Sequence, residues 1–424
     1  MTRMLISAAA MVLAIGAVGL DREASRAMPA DGLETGSADV GHPRGPGPDS
    51  AQVARFLGSL GSAAPVVCED IADSFGNFWW GSRRWGASIG QFADRGAGTM
   101  ALRDSLRGEV RDSKVIALLV ATLVADNPCV RRVAAKMLGQ SIAASRSALL
   151  TGLRSPNARV KEAALFALGV AEEPTTREAV ERAAFDQAPE VAAMAAWALG
   201  EMEDARSLPV LERLVDSKTS RIRYAAIWAV GQIEAEAGVD RLLPALRDRD
   251  PVTRGLAAQA LGEIESRAAV MPLLPLVEDA DLDVRLAAVE ALGEIEDARA
   301  APALTHALGD SEPEIRRAAA HALGELDDLH EAPAALRTAL ASDDVELRRA
   351  AAQALGEIAD PTSVAALGAR IADTDLETRR AVVQALSEIE HPDVVRWLMR
   401  ALKDEDAEIR QKAAQALGEH GKSD

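Results

Sequence analysis

The residues able to do chemistry in this chain are few and dispersed. Its six histidines, His42, His306, His321, His330, His391 and His420, are scattered, without a nucleophile and base in matching positions. Cys68 and Cys129 are the two cysteines, and no Cys/His cluster has the close spacing of a structural zinc site. Nothing in this set predicts a metal, a cofactor or a catalytic residue. The densest grouping is aromatic and cationic. "FWWGSRRW", residues 78–85, sets Trp79, Trp80 and Trp85 around Arg83 and Arg84. Arginines among indole faces form a cation–π surface for a ligand, a glycan or a base, and the glycines at 76, 81, 86 and 90 let a loop fold around it. The same bulk, with Phe75, Phe78 and Phe92, also suits a plug at the end of a helical stack. The choice depends on the elements to which the segment is attached.

Those elements are helical by composition. Alanine, leucine and valine make up most of a hydrophobic content of 48%, aromatic residues only 3%, and Ala and Leu favour closely packed helices over sheets. The net charge of −18 speaks against a generic polyanion binder, which needs a surplus of Lys and Arg to neutralise phosphates. The N-terminus has the order of a secretory leader: Arg3, an uncharged apolar run from Met4 to Leu20, then charges and small residues, with cleavage candidates ending at Gly19 and Ala27. Export with cleavage comes first and an uncleaved membrane anchor second. The division is 1–27 leader or anchor, 28–50 a Gly/Pro-rich tether, 51–108 irregular capping repeats and 109–424 a repeat array.

The array is measured by one glycine, which recurs at 139, 169, 200, 231, 262, 293, 324 and 356, is Ser387 in the next frame, and returns at Gly418. Eight positions earlier stands a basic residue, from Arg131 and Lys161 to Arg379 and Arg410, broken only by Ala192. Each unit resolves into two helices. Proline stands near the start of the first, at Pro209, Pro244, Pro272, Pro302 and Pro333. In the turn, Ser311, Pro313 and Glu314 are expected to supply a cap oxygen, a preset φ and a negative charge. Gly324 is expected to end the second helix in the left-handed conformation. Stacked units make an all-α solenoid.

The unit resembles the short HEAT-like repeat of phycobilisome lyases, carried by "DPVTRGLAAQALGEI" and "DLDVRLAAVEALGEI" over residues 100 to 420. The resemblance implies that the repeated Arg and the turn Asp tie one unit to its neighbour. It also brings two enzyme alternatives, a bilin lyase and a diiron hydroxylase of the deoxyhypusine type. The second needs four inward HE pairs, and "HE" occurs once here, at His330 and Glu331. The ruler reaches back to Gly108 and Gly76, so the tryptophan-rich segment falls in an early, irregular repeat, where a plug is the first reading and a ligand patch the second. A regular stack also sets Cys68 and Cys129 too far apart for a disulfide, so two free thiols are expected.

On each second helix the positions seven and three before the ruler share a face and are expected to line the concave side. They bring Phe166, Trp197, Tyr224 and Trp228 together as aromatic anchors, followed by Arg317, His321, Arg349 and Arg380 as a basic run. Internal pairing with Asp and Glu of neighbouring turns is the other reading of those arginines. The expectation is an exported, noncatalytic scaffold whose groove takes a protein or peptide with an apolar and an acidic part. A DNA-binding role would need Arg132, Lys136 and the basic run to outweigh the acidic total.

Overall fold

The structure, a computed structural model, describes residues 49–61 and 109–420. The leader, the tether, the tryptophan-rich segment and Cys68 lie outside the described residues, as does the side chain of Cys129. Among the described residues there are helices, short 3-10 turns and one isolated parallel bridge, Asp297 to Asp327.

After a first helix, α1 (Ser50–Gly61), ten helix pairs follow. They are α2 (Ser113–Thr122) with α3 (Pro128–Gln140), α4 (Ile142–Gly152) with α5 (Ala158–Val170), and α6 (Arg177–Ala183) with α7 (Pro189–Glu201). Next come α8 (Leu208–Val215) with α9 (Ser220–Gln232), α10 (Val239–Leu242) with α11 (Pro251–Glu263), and α12 (Val270–Leu273) with α13 (Leu282–Glu294). The series closes with α14 (Ala301–Ala307) and α15 (Pro313–Glu325), α16 (Ala334–Ala339) and α17 (Val345–Ile358), α18 (Val364–Ala369) and α19 (Leu376–Glu388), and α20 (Val394–Ala401) and α21 (Ala407–His420). Helix α1 lies on α2 and α3 and buries Val53, Phe56 and Leu57.

The glycine ruler has a different cause from the one expected. Gly262 and Gly324 lie inside their helices. The left-handed residue comes later, and it is Glu172, Glu203, Glu234, Glu265, Glu296, Asp328 or Ala359, with φ between 48° and 58°. Each of the five glutamates donates its backbone N–H to the ruler glycine's carbonyl, as from Glu265 to Gly262 at 2.7 Å. What requires glycine is the neighbouring helix. A Cβ on Gly262 would stand 2.8 Å from Ala291 Cα, and one on Gly356 would stand 2.8 Å from Ala385 Cα. Glycine facing alanine lets second helices nearly touch, whereas first helices meet one another only loosely. The row with the shorter spacing is the inside of the curve.

Two further expectations are corrected. Pro209 and Pro302 open α8 and α14 and Pro272 lies in the first turn of α12, but Pro244, like the unassigned Pro275, falls where α10 and α12 give way to 3-10 turns over 243–247 and 274–278. A proline inside a helix has no N–H to donate and its ring displaces the preceding turn, so those first helices are broken. Ser311 does not cap α15 either: its hydroxyl donates to Asp310, whose carboxylate accepts the Glu312 N–H at 2.8 Å. Aspartates cap α11, α13, α17 and α19, as Asp344 does with the N–H groups of Glu346 and Leu347.

The repeated arginine is a structural tie. In four frames Arg254, Arg285, Arg348 and Arg379 each send one guanidinium edge to an aspartate of the next turn, Asp279, Asp310, Asp373 and Asp404, at 2.9 to 3.1 Å. The remaining nitrogen donates to a carbonyl of the preceding turn, as from Arg285 to Asp279 O at 2.9 Å. Lys161 does the same work toward Asp186 at 2.6 Å. Arg316 departs from this, because Ala341 stands where the partner aspartate would be and the guanidinium reaches only Asp310 O and Ser311 O, and Arg131 likewise reaches only Ala125 O and Asp126 O. At the other end of α15 the Asp327 N–H bonds Glu296 O, in the turn after α13, at 2.8 Å and Arg267 pairs with Asp327 at 3.2 Å.

Candidate binding surface

The inner face is built from three columns on successive second helices: seven and three residues before the ruler, and one after it. On this face the aromatic anchors are corrected. Phe166 is 7% and Trp197 2% exposed, and their rings stack at 5.2 Å between centroids, 14° from parallel. Trp197 fills the space over Gly169 and Trp228 the space over Gly200, each occupying the room that a missing Cβ leaves open. Phe166 and Trp197 are therefore interlayer packing, not accessible anchors. Trp228 and Tyr224 are half-buried, and the Tyr224 hydroxyl donates to Asp250 at 2.6 Å.

The basic run is likewise consumed internally. Arg349 grips Asp375 with two bonds of 2.8 and 2.7 Å and Glu346 with a third at 2.7 Å. Arg380 meets Glu377 and Glu408 at 2.9 Å and Asp406 at 3.3 Å. Arg317 donates to Pro313 O at 3.2 Å and lies 3.9 Å from Asp344. Planar guanidinium forks match carboxylates that already sit at helix caps, so the column ties repeats together. His321 is exposed between them.

What remains accessible is acidic. The residue after the ruler is Glu in α7, α11, α13, α15, α17, α19 and α21. Glu263, Glu294, Glu325, Glu357 and Glu388 each lie over the glycine of the preceding repeat. Glu325, Glu357 and Glu388 are exposed and have no cationic partner among the described residues. Beside them runs a column of amides, Gln259, Gln353, Gln384 and Gln415, some of which donate to the glutamate four residues on. Crowding raises several of these acids. Burial, followed by Glu172 and Glu203, pushes Glu201 up to about 7, with the Trp197 side chain as a donor that pulls the other way. Burial also raises Glu263, against the bonds from Gln259 and Gln232. Loss of solvent, then Glu325 and Glu388, raises Glu357.

A model of HEAT repeats matches residues 146–231, 239–324, 270–356, 303–386 and 364–424. The chain belongs to the HEAT-repeat family. Within it, residues 222–248 match the PBS lyase HEAT-like repeat. Among solved structures, importin beta aligns with a TM-score of 0.55 at 17% identity, covering 76% of this chain and 54% of its own. An engineered protein aligns at 0.47 and 22% identity, over 72% of this chain and 98% of its own. The CpcE–CpcF complex of phycocyanin lyase from Nostoc sp. PCC7120 aligns at 0.36 and 20% identity, over 58% and 94%. These likenesses concern the fold. No curated protein matches the chain. The HEAT solenoid is in general a scaffold for binding proteins, and the chain shares that architecture.

Among the described residues no group of three or more His, Cys, Asp or Glu could hold a metal ion, and no helix is long and apolar enough to cross a membrane. The cap patch, Trp79, Trp80, Arg83, Arg84 and Trp85, lies outside the described residues. Reading the sequence missed the acidic column, although the "LGE" of six frames printed it. The cue was a Glu fixed beside the ruler glycine, one residue beyond the columns assigned to the groove.

Proposed function

We propose that this protein is an extracytoplasmic scaffold without a reaction of its own, holding a partner protein along the inner face of its HEAT array. The accessible carboxylates Glu325, Glu357 and Glu388, set beside an amide column while Arg317, Arg349 and Arg380 are neutralised, carry this reading. The complementary segment is therefore basic, and extended or helical enough to meet one repeat after another. Amides offer donors and acceptors to a backbone without imposing charge. Export rests on the leader from Met4 to Leu20.

The test uses a photo-crosslinker at Gln353 in the native envelope fraction, with wild type compared to a Glu325→Gln, Glu357→Gln, Glu388→Gln variant. A partner captured by wild type and lost with the folded variant supports the reading. Capture undiminished by the three changes removes the acidic column from the interface. Mass spectrometry of the mature N-terminus and fractionation test export: a chain retained in the cytoplasm with Met4–Leu20 intact sinks that part.

A further inference from the structure

The outer row of first helices carries the reverse charge at one place. A cavity of about 340 Å³ opens between α4 and α6, walled by Leu150, Leu153, Ala179 and Ala183. Arg154 and Arg182 stand at its rim, both exposed. Phe185, two residues beyond Ala183, is 46% exposed, and the Arg213 guanidinium of α8 lies 4.3 Å over its ring. Two carboxylates also border the cavity. Asp186 is spent on Lys161 at 2.6 Å, which leaves Glu178 as the opposing charge. The ladder arginines of this chain are tied to aspartates or carbonyls, yet Arg154, Arg182 and Arg213 have no acidic partner among the described residues. In a chain of net charge −18 such a positive island holding an exposed aromatic ring is unusual.

We propose that this notch is a second docking site, taking an acidic linear segment of a partner protein with an apolar side chain between carboxylates. The Leu and Ala walls accept the apolar group, and Arg154, Arg182 and Arg213 meet the flanking acids with planar forks suited to carboxylates. The occupant is a peptide and not a phosphate polymer, for two reasons. The cavity sets Leu150, Leu153, Ala179 and Ala183 among polar groups and holds only one or two side chains, and the chain's overall negative charge repels a long polyanion. The site stands apart from the inner-face reading and does not rest on it.

The experiment is fluorescence anisotropy on the full chain, with a labelled dodecapeptide bearing one Leu between runs of Asp and Glu. The expected result is saturable binding that strengthens as salt falls. Arg154→Glu with Arg182→Glu should weaken it at least about tenfold and Phe185→Ser about threefold, with helical content and melting temperature unchanged. Should the reversal pair fail to fold, Arg182→Gln alone, expected to cost about threefold, takes its place. The Glu325→Gln, Glu357→Gln, Glu388→Gln variant should bind the peptide as wild type does. Absence of saturable binding, or binding undiminished by the arginine changes, overturns the proposal. So does equal binding of a Leu→Ser peptide with displacement by heparin, which marks a polyanion site. Self-association of wild type that the same variants abolish assigns the notch to a second copy and also overturns it.

Discussion

Glu201 is held between Glu172 and Glu203 against a buried indole, and its carboxyl titrates near 7. Because the folded value lies above the unfolded one of about 4.5, the native state binds the extra proton between the two, and stability falls as pH rises through that window. Glu201→Gln should raise stability at pH 8 by about 1 to 2 kcal/mol and flatten the pH dependence between 5 and 8 in urea unfolding. Asp297 titrates at about 2, held down first by the Arg299 guanidinium, so its contribution has the opposite sign and is lost as pH falls below about 4. Trp197→Ala should cost about 4 kcal/mol, the loss of a buried ring and its stack, and a melt unchanged by it would return the residue to the surface.

Two glycines of one element separate packing from propensity. In α11, Gly262→Ala drives a methyl into Ala291 and should destabilise by about 2 kcal/mol, whereas Gly255 has only Val284 Cγ2, at 4.0 Å, near its missing Cβ. Gly255→Ala should therefore stabilise by about 0.5 to 1 kcal/mol on helix propensity alone, as chemical denaturation of the two variants would show. The arginine ties allow a similar contrast. Arg285→Met severs a half-buried pair with Asp310 and should cost about 2 kcal/mol, between the cost of exposed and fully buried pairs. Arg316→Met, which loses only carbonyl contacts, should cost about half that. The period, the two-helix unit and the aspartate turns were all legible because caps, prolines and spacing act over a few residues. The break of α10 and α12 into 3-10 turns was less so, because Pro244 reads like the helix-opening Pro209 and Pro302 until it is known where each helix begins.

Across the whole array, the junction between α15 and α17 has lost the Arg–Asp tie and gained an extra residue, which leaves Arg316 on carbonyls of its own turn and Arg317 3.9 Å from Asp344. Repeat arrays unfold along their weakest interfaces. Hydrogen exchange at residues 341–344 should be faster than at the tied turn over 309–312, and equal protection would show that helix packing replaces the tie fully. Charge follows the same long-range pattern, with an acidic column running inside and a basic notch outside.

What the sequence by itself determined is the repeat: its period, its helices and its family, because propensity, capping and a recurring glycine are local properties copied frame after frame. What only the tertiary structure decided is which side chains remain accessible. The same columns that bring Phe166, Trp197, Arg349 and Arg380 to the inner face also place each against a neighbouring repeat, where a stacked ring, a missing Cβ or a cap aspartate absorbs it. Accessibility depends on the distance between repeats, and that distance is set by glycine meeting alanine across some thirty residues of chain.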